Sequence, residues 1–231
     1  MSNIYGDFIK SLRESRGISQ SLMAEKINIS RPSYVAVEKG TKELSLSEAE
    51  RLVRVFGITV DELIRAEAPN YKKYKQMILA FLREANKSKV ELKKTKLAKL
   101  LYLTDFAWFY NHLESMSGME YKKMEFGPVP SDFFQAVEEM EEDGSIKVTH
   151  EQKSGRDMYV ITEGRGSAGT DLDELNDKEL SLVAKVWQKW KDANTQEIVD
   201  FTHKQLPYKI AFEGETVSYP LITQLDQKDV Y

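Results

Sequence analysis

The sequence predicts a mainly α-helical chain: a five-helix unit, then a larger α+β unit that is helical with a small β-hairpin or sheet. Three observations carry this. Apolar residues recur at three- and four-residue spacing through most of the chain, in runs that open on Ser or Asn and several of which close on Gly or Asn. One stretch instead alternates with a period of two on either side of Ser154-Gly155. The helical pattern also breaks at Glu67-Ala-Pro-Asn70, where proline and asparagine act as punctuation, so the units are placed at 1–68 and 69–231. A chain of 231 residues exceeds the common domain size of roughly 100–150 residues, which fits a small domain followed by a larger one.

In the first unit, Ile4, Phe8 and Leu12 define a helix that ends at Arg16-Gly17. Ser19 offers a hydroxyl cap to a second helix with Leu22, Met23 and Ile27 facing inward, and Asn28 tolerates the left-handed conformation that stops it. Ser30 caps a third helix. Pro32 falls in its first turn, where a missing amide hydrogen costs little, and Tyr34 and Val37 form its buried stripe up to Gly40. Ser45 or Ser47 opens a fourth helix carrying Leu52, Val55 and Phe56; Gly57 ends it, and a short fifth helix surrounds Leu63.

In the second unit, Tyr71, Tyr74, Ile78, Phe81 and Ala85 make one helical face. Leu97 to Tyr110 is apolar nearly all round, as expected of a helix at the centre of a core. Gly127-Pro-Val-Pro130 reads as a turn into a helix running through Met140. Ile146 and Val148, then Tyr159 and Ile161, alternate as the two strands of a hairpin. Asn176 with Glu179, and Asn194 with Glu197, are capping-box signals, the first opening a helix that bears Val183, Trp187 and Trp190.

Composition narrows the function. No run approaches the ~18 uncharged apolar residues of a membrane span, and the first residues carry no apolar stretch behind a basic cap, so a cytoplasmic protein is expected. There is no cysteine, and His112, His150 and His203 lack ligand spacing, so neither a metal nor another cofactor is expected. The net charge of −4 opposes indiscriminate coating of nucleic acid. Residues 1–68 hold ten basic and ten acidic residues, so any nucleic-acid contact there must be local and specific. A zinc-protease helix, a Gly-rich phosphate loop and a GxSxG elbow are all missing, and no enzyme is expected.

The run Gly17-Ile-Ser-Gln20, Met23-Ala24, Ile27-Asn-Ile-Ser30, Val37-Glu38-Lys-Gly40 resembles the Cro/C1-type, XRE-like helix-turn-helix family across the whole first unit. Such a motif lays one helix across the DNA backbone and points the N-terminal side chains of the next into the major groove. Small Ala24 suits the closest approach of the two helices. The resemblance implies that Gln20 touches phosphate and that Ser30, Arg31 and Ser33 occupy the reading positions, where arginine can grip guanine with two hydrogen bonds. Pro32 and Ala36 are shorter and less polar than the usual residues there, which limits them to apolar contact such as a thymine methyl. Lys39 and Lys42 follow this helix, where backbone contacts neutralise phosphate without reading sequence. Arg13 and Glu38 match positions that pair as a partly buried ion bridge in similar repressors and are given no DNA role. A homodimer on double-stranded operator DNA follows, because one short helix covers too few base pairs for useful affinity.

Lys96-Leu-Ala-Lys-Leu-Leu-Tyr102, Phe126-Gly-Pro-Val129, and Phe201-Thr-His203 before Pro207-Tyr208 resemble the SocA-like, or Panacea (DUF4065), antitoxin domain over roughly residues 72–225. The residues alone lead only to an α+β domain with a hairpin. The resemblance implies that this domain binds and neutralises a cognate protein toxin, and that the fused helix-turn-helix represses the shared operon, as in a type II toxin-antitoxin system. The alternative is a phage or host repressor whose second domain dimerises or senses a ligand. Tyr102, Trp108 and Phe126 are candidate partner anchors because aromatics concentrate at binding hot spots, although core packing is the commoner fate of aromatics in so apolar a segment. The acidic run Glu138 to Asp143 suits either a basic toxin or a solvated helix end. His203 resembles the family's helix-end histidine, with a bond to backbone as its simplest role.

Overall fold

The computed structural model describes residues 4–65, 69–130, 132–153 and 156–231. The chain divides into two compact units, Met1–Ala68 and Pro69–Tyr231, and each has a hydrophobic core of its own.

The first unit is built from α1 (Ile4–Ser15), α2 (Gln20–Lys26), α3 (Arg31–Glu38), α4 (Leu46–Phe56) and α5 (Val60–Arg65). Their ends follow from local chemistry. The hydroxyls of Ser19, Ser30 and Ser45 accept hydrogen bonds from the amides of Leu22, Ser33 and Glu48, satisfying amide hydrogens that have no partner inside the helix. Ser45 is the cap of α4 rather than Ser47, because Glu48 lies three residues after it and returns a bond to its amide at 2.7 Å. Asn28 and Gly57 stop α2 and α4 with positive φ of 58° and 60°. Met23, Ala24 and Ile27 fill the core with Ile9, Tyr34, Leu52 and Phe56, whereas Leu22, expected inside, is exposed because its direction lies one residue off that stripe. Gly6 is required where α1 meets the end of α3, since a Cβ there would lie 2.5 Å from the Glu38 carbonyl oxygen.

The second unit packs around α7 (Lys94–His112), which is buried on every side through Phe109. Against it lie α6 (Tyr71–Ser88), α9 (Asp177–Trp190) and α10 (Thr195–Lys204), followed by the short α11 (Leu206–Ile210). Asn70 caps α6 by accepting from the Lys73 amide, so the residue read as a boundary signal also begins the next helix. Both capping boxes form, at Asn176–Glu179 and Asn194–Glu197. The hairpin strands β4 (Ile146–Lys153) and β5 (Arg156–Glu163) pair in register from Ile146–Glu163 to Lys153–Arg156; their connecting residues 154 and 155 lie outside the described ones. β1 (Leu92–Lys93) adds a third strand beside β5, in the order β1-β5-β4, all antiparallel. Part of the stretch read as a turn into α8 (Phe133–Glu142) is itself strand: Val129–Pro130 (β3) pairs with Tyr121–Lys122 (β2). The end of the chain returns to α7, with Tyr219 stacked on Phe106 at 4.2 Å between ring centroids.

Inside this core Asp105 is fully buried and accepts hydrogen bonds from the Ser117 amide (2.8 Å), the Ser117 hydroxyl (2.5 Å) and the Tyr121 hydroxyl (2.8 Å). Burial raises its pKa, and these donors pull the other way. The network ties α7 to the 115–121 loop and to β2.

Candidate nucleic-acid interface and partner surface

The first unit brings the N-terminal turn of α3 to the surface. Ser30, Arg31 and Pro32 are exposed and Ser33 is half-buried, while Tyr34 and Val37 on the opposite side anchor the helix in the core. Arg31 therefore presents its side chain to solvent. The Ser30 oxygen already accepts the Ser33 amide at 3.2 Å, leaving its hydroxyl hydrogen free to donate. Lys39 ends α3 and is exposed.

Gln20 and Lys42 are more constrained than their sequence positions imply. The Gln20 side-chain amide donates to Glu38 Oε2 at 2.8 Å, and the Lys42 ammonium reaches Glu48 Oε1 at 2.9 Å. Each would have to share or release that bond to meet a phosphate. The Lys42 ammonium and the Ser45 amide hold the Glu48 carboxyl at about 2, well below the usual carboxylate range.

Behind α3 the expected ion pair forms: Arg13 Nε donates to Glu38 Oε1 at 2.5 Å with both side chains buried, and Arg13 Nη1 reaches the Ile18 carbonyl at 2.9 Å. Burial works against the Glu38 carboxylate, yet bonds from Arg13 and Gln20 hold its pKa below the ordinary value. The pair clamps α1 to the end of α3, so its effect on any interface runs through the position of the helix.

In the second unit the three candidate anchors separate. Tyr102 is 0% exposed and packs against Phe106 and Tyr121, so it belongs to the core and has no surface to present. Trp108 is 7% exposed and lies flat on His112 at 3.8 Å, leaving only an edge. Phe126 is 65% exposed at the tip of the turn between β2 and β3. The reason is positional: Tyr102 and Trp108 sit on a helix buried all round, whereas Phe126 sits on a turn.

Sequence reasoning passed over three further exposed apolar residues near Phe126, namely Met124, Ile210 and Phe212. Their segments are laced together. The Tyr208 hydroxyl donates to the Met124 carbonyl at 2.9 Å, the Lys123 ammonium to the Ala211 carbonyl at 2.9 Å, and the Gly214 amide to the Lys123 carbonyl at 2.8 Å. Neighbouring His203 is stacked on Tyr208 at 4.4 Å, and its buried Nε2 has no hydrogen-bond partner. Carboxylates of the acidic run serve the fold: Glu139 meets Lys75 at 2.6 Å, Glu141 accepts from the Val148 amide, and Asp143 from the Ser145 amide. Among the described residues no group of histidine, aspartate and glutamate side chains could hold a metal ion, and no helix is long and apolar enough to cross a membrane.

Comparison with known proteins finds two family models along the chain. Residues 9–63 match the helix-turn-helix family model, and residues 97–208 match the model described as antitoxin SocA-like, Panacea domain. The chain is 30% identical over 67 residues to the cryptic phage CTXphi transcriptional repressor RstR of Vibrio cholerae, covering 29% of this chain and 60% of that protein. It is 26% identical over 65 residues to the uncharacterized HTH-type transcriptional regulator YqaE of Bacillus subtilis (strain 168), covering 28% of this chain and 56% of that protein. The chain thus spans less than two thirds of either relative. No solved structure matches it significantly. The chain therefore carries a helix-turn-helix domain fused to an antitoxin-like, SocA-type Panacea domain.

Proposed function

We propose that this protein is the antitoxin of a type II toxin-antitoxin system: residues 69–231 bind and neutralise a cognate protein toxin, and residues 1–68 repress the operon by binding its operator as a homodimer. The observation that carries the reading is the pairing in one chain of a helix-turn-helix match with a Panacea match. The exposed N-terminal turn of α3 supports sequence-specific contact through Ser30, Arg31 and Ser33, with Gln20, Lys39 and Lys42 as phosphate contacts. Exposed Phe126 supports a partner surface on the second domain. Neither role calls for catalysis or a cofactor, and both suit a cytoplasmic protein.

A second reading is favoured by the likeness to a named phage repressor: a transcriptional regulator whose second domain dimerises or senses a ligand, without a toxin. Expressing the neighbouring gene with and without this chain separates the two. Growth arrest by the neighbour, relieved by the chain, is the expected result; a harmless neighbour, with operator binding intact, would leave the regulator.

A further inference from the structure

We infer that the turn carrying Phe126 and the adjoining segment carrying Phe212 form the docking surface for the partner protein, and that the partner brings an apolar side chain flanked by a carboxylate. This deepens the antitoxin reading and rests on it. Four large apolar side chains, Met124, Phe126, Ile210 and Phe212, are exposed on two segments fastened together by main-chain and side-chain bonds, with Phe126 at 65% and Phe212 at 75%. The fastening matters because a preorganised apolar surface loses little entropy on docking. Contiguous exposed apolar patches mark interaction sites.

The sign of the partner's charge follows from what lies beneath. The Lys99 side chain is completely buried under the turn: a Cβ added to Gly127 would come within 3.0 Å of its ammonium nitrogen and 3.1 Å of the Thr202 hydroxyl. Gly127 has φ of 95°, a conformation that favours glycine, so the turn lies directly on the lysine. That ammonium donates to the Pro128 carbonyl at 3.0 Å, and among the described residues no carboxylate forms an ion pair with it. Next to Thr202, His203 also lacks a partner at Nε2, and its pKa is lowered by burial and by Lys99, with Asp200 opposing and Lys123 assisting. The exposed charges of these segments are Lys204 and Lys209 against Glu125, Glu213 and Glu215, the last accepting from the Phe212 amide at 3.0 Å, and salt screens them. The buried amine is screened far less and has no counterion, so a carboxylate arriving above it stabilises its protonated form. The site therefore favours a carboxylate on the incoming surface without requiring contact.

The test uses the full chain and the purified product of the adjacent gene whose expression alone halts growth. Phe126→Ser with Phe212→Ser should weaken the complex about 30-fold or more and abolish protection with unchanged melting, as for hot-spot anchors. Phe134→Ser, which removes an exposed aromatic ring on α8, should do neither. A folded double variant that still binds and protects, or an equal loss in Phe134→Ser, would overturn the assignment. Burial holds the Lys99 amine at about 7, so at pH 8 it is mostly neutral. A carboxylate arriving above it should then drive proton uptake on complex formation, read by calorimetry in buffers of different ionisation heat, and Lys99→Met should abolish that uptake and weaken binding about tenfold. Binding without proton uptake in the wild-type chain would overturn the carboxylate. If the wild-type chain neither binds nor neutralises the adjacent product, the antitoxin reading falls and this surface with it; if it does both while the double variant matches it, only the surface falls.

Discussion

Arg31 and Arg13 stand close in sequence and are read very differently by their surroundings. Arg31 is exposed at the start of α3, and its replacement by alanine should cost about 1–3 kcal/mol at the cognate operator if it grips a base. Fluorescence anisotropy checks this, and an equal loss on random DNA would make it a phosphate contact. Arg13 is buried against Glu38, so Arg13→Ala should destabilise the first domain by about 3–5 kcal/mol, because a carboxylate is left buried and unpaired. Thermal melting that does not move would contradict the pair. Glu48 supplies a pH dependence. Its carboxyl sits at about 2 in the fold against an ordinary 4.5, so the stability it contributes is fully present above 4.5 and is lost as pH falls towards 2. The gap between wild type and Glu48→Gln, measured by denaturant titration, should therefore shrink across that window and stay constant above it. Arg13–Glu38 was legible through resemblance, whereas the part played by Glu48 was not read and its bond to Lys42 needed the folded loop.

At the scale of elements, legibility followed the strength of local chemistry. Helices with a Ser or Asn cap and a clear apolar stripe were readable because both signals are local, as at Ser19, Ser30, Asn176 and Asn194. The two-residue strands β1, β2 and β3 were not, since so short an element has no period and exists only through its partner strand. Residues 211–231 were equally opaque, being held by contacts such as Tyr219 on Phe106 and the Gln205 amide on the Asp229 and Val230 carbonyls. Of the proposed anchors, Tyr102 is buried because an aromatic on an all-apolar helix is core, whereas the turn residue Phe126 is exposed. Lys99 left one trace, a lysine within an apolar helix, and its isolation became visible only once Gly127 was seen to cover it. The Asp105 network gives a prediction at this level. Asp105→Asn keeps an oxygen for the Ser117 amide but replaces the oxygen that accepts from both the Ser117 and Tyr121 hydroxyls with a donor, so both must turn to accept, and it should lower stability by about 1–3 kcal/mol. Melting of the variant measures it, and an unchanged midpoint would show that the network carries no net stability.

For the molecule as a whole, each unit closes its own core: Ile9 to Leu63 in one, Tyr74 to Val230 in the other. A fragment beginning at Pro69 keeps α7, both tryptophans of α9 and the surface around Phe126, and it loses no buried residue of its core. The two proposed activities should therefore come apart, with DNA binding in residues 1–68 and neutralisation in residues 69–231. Dimerisation through the head could add avidity at limiting concentration, a matter of effective concentration rather than of contacts. The most direct measurement is growth of cells expressing the neighbouring toxin beside the full chain, the 69–231 fragment or the 1–68 head, with circular dichroism to establish that each fragment is folded. The account predicts that the full chain and the fragment protect while the head does not, and that only the full chain and the head retard operator DNA. Protection by the head, or loss of protection by a folded 69–231 fragment, would contradict it.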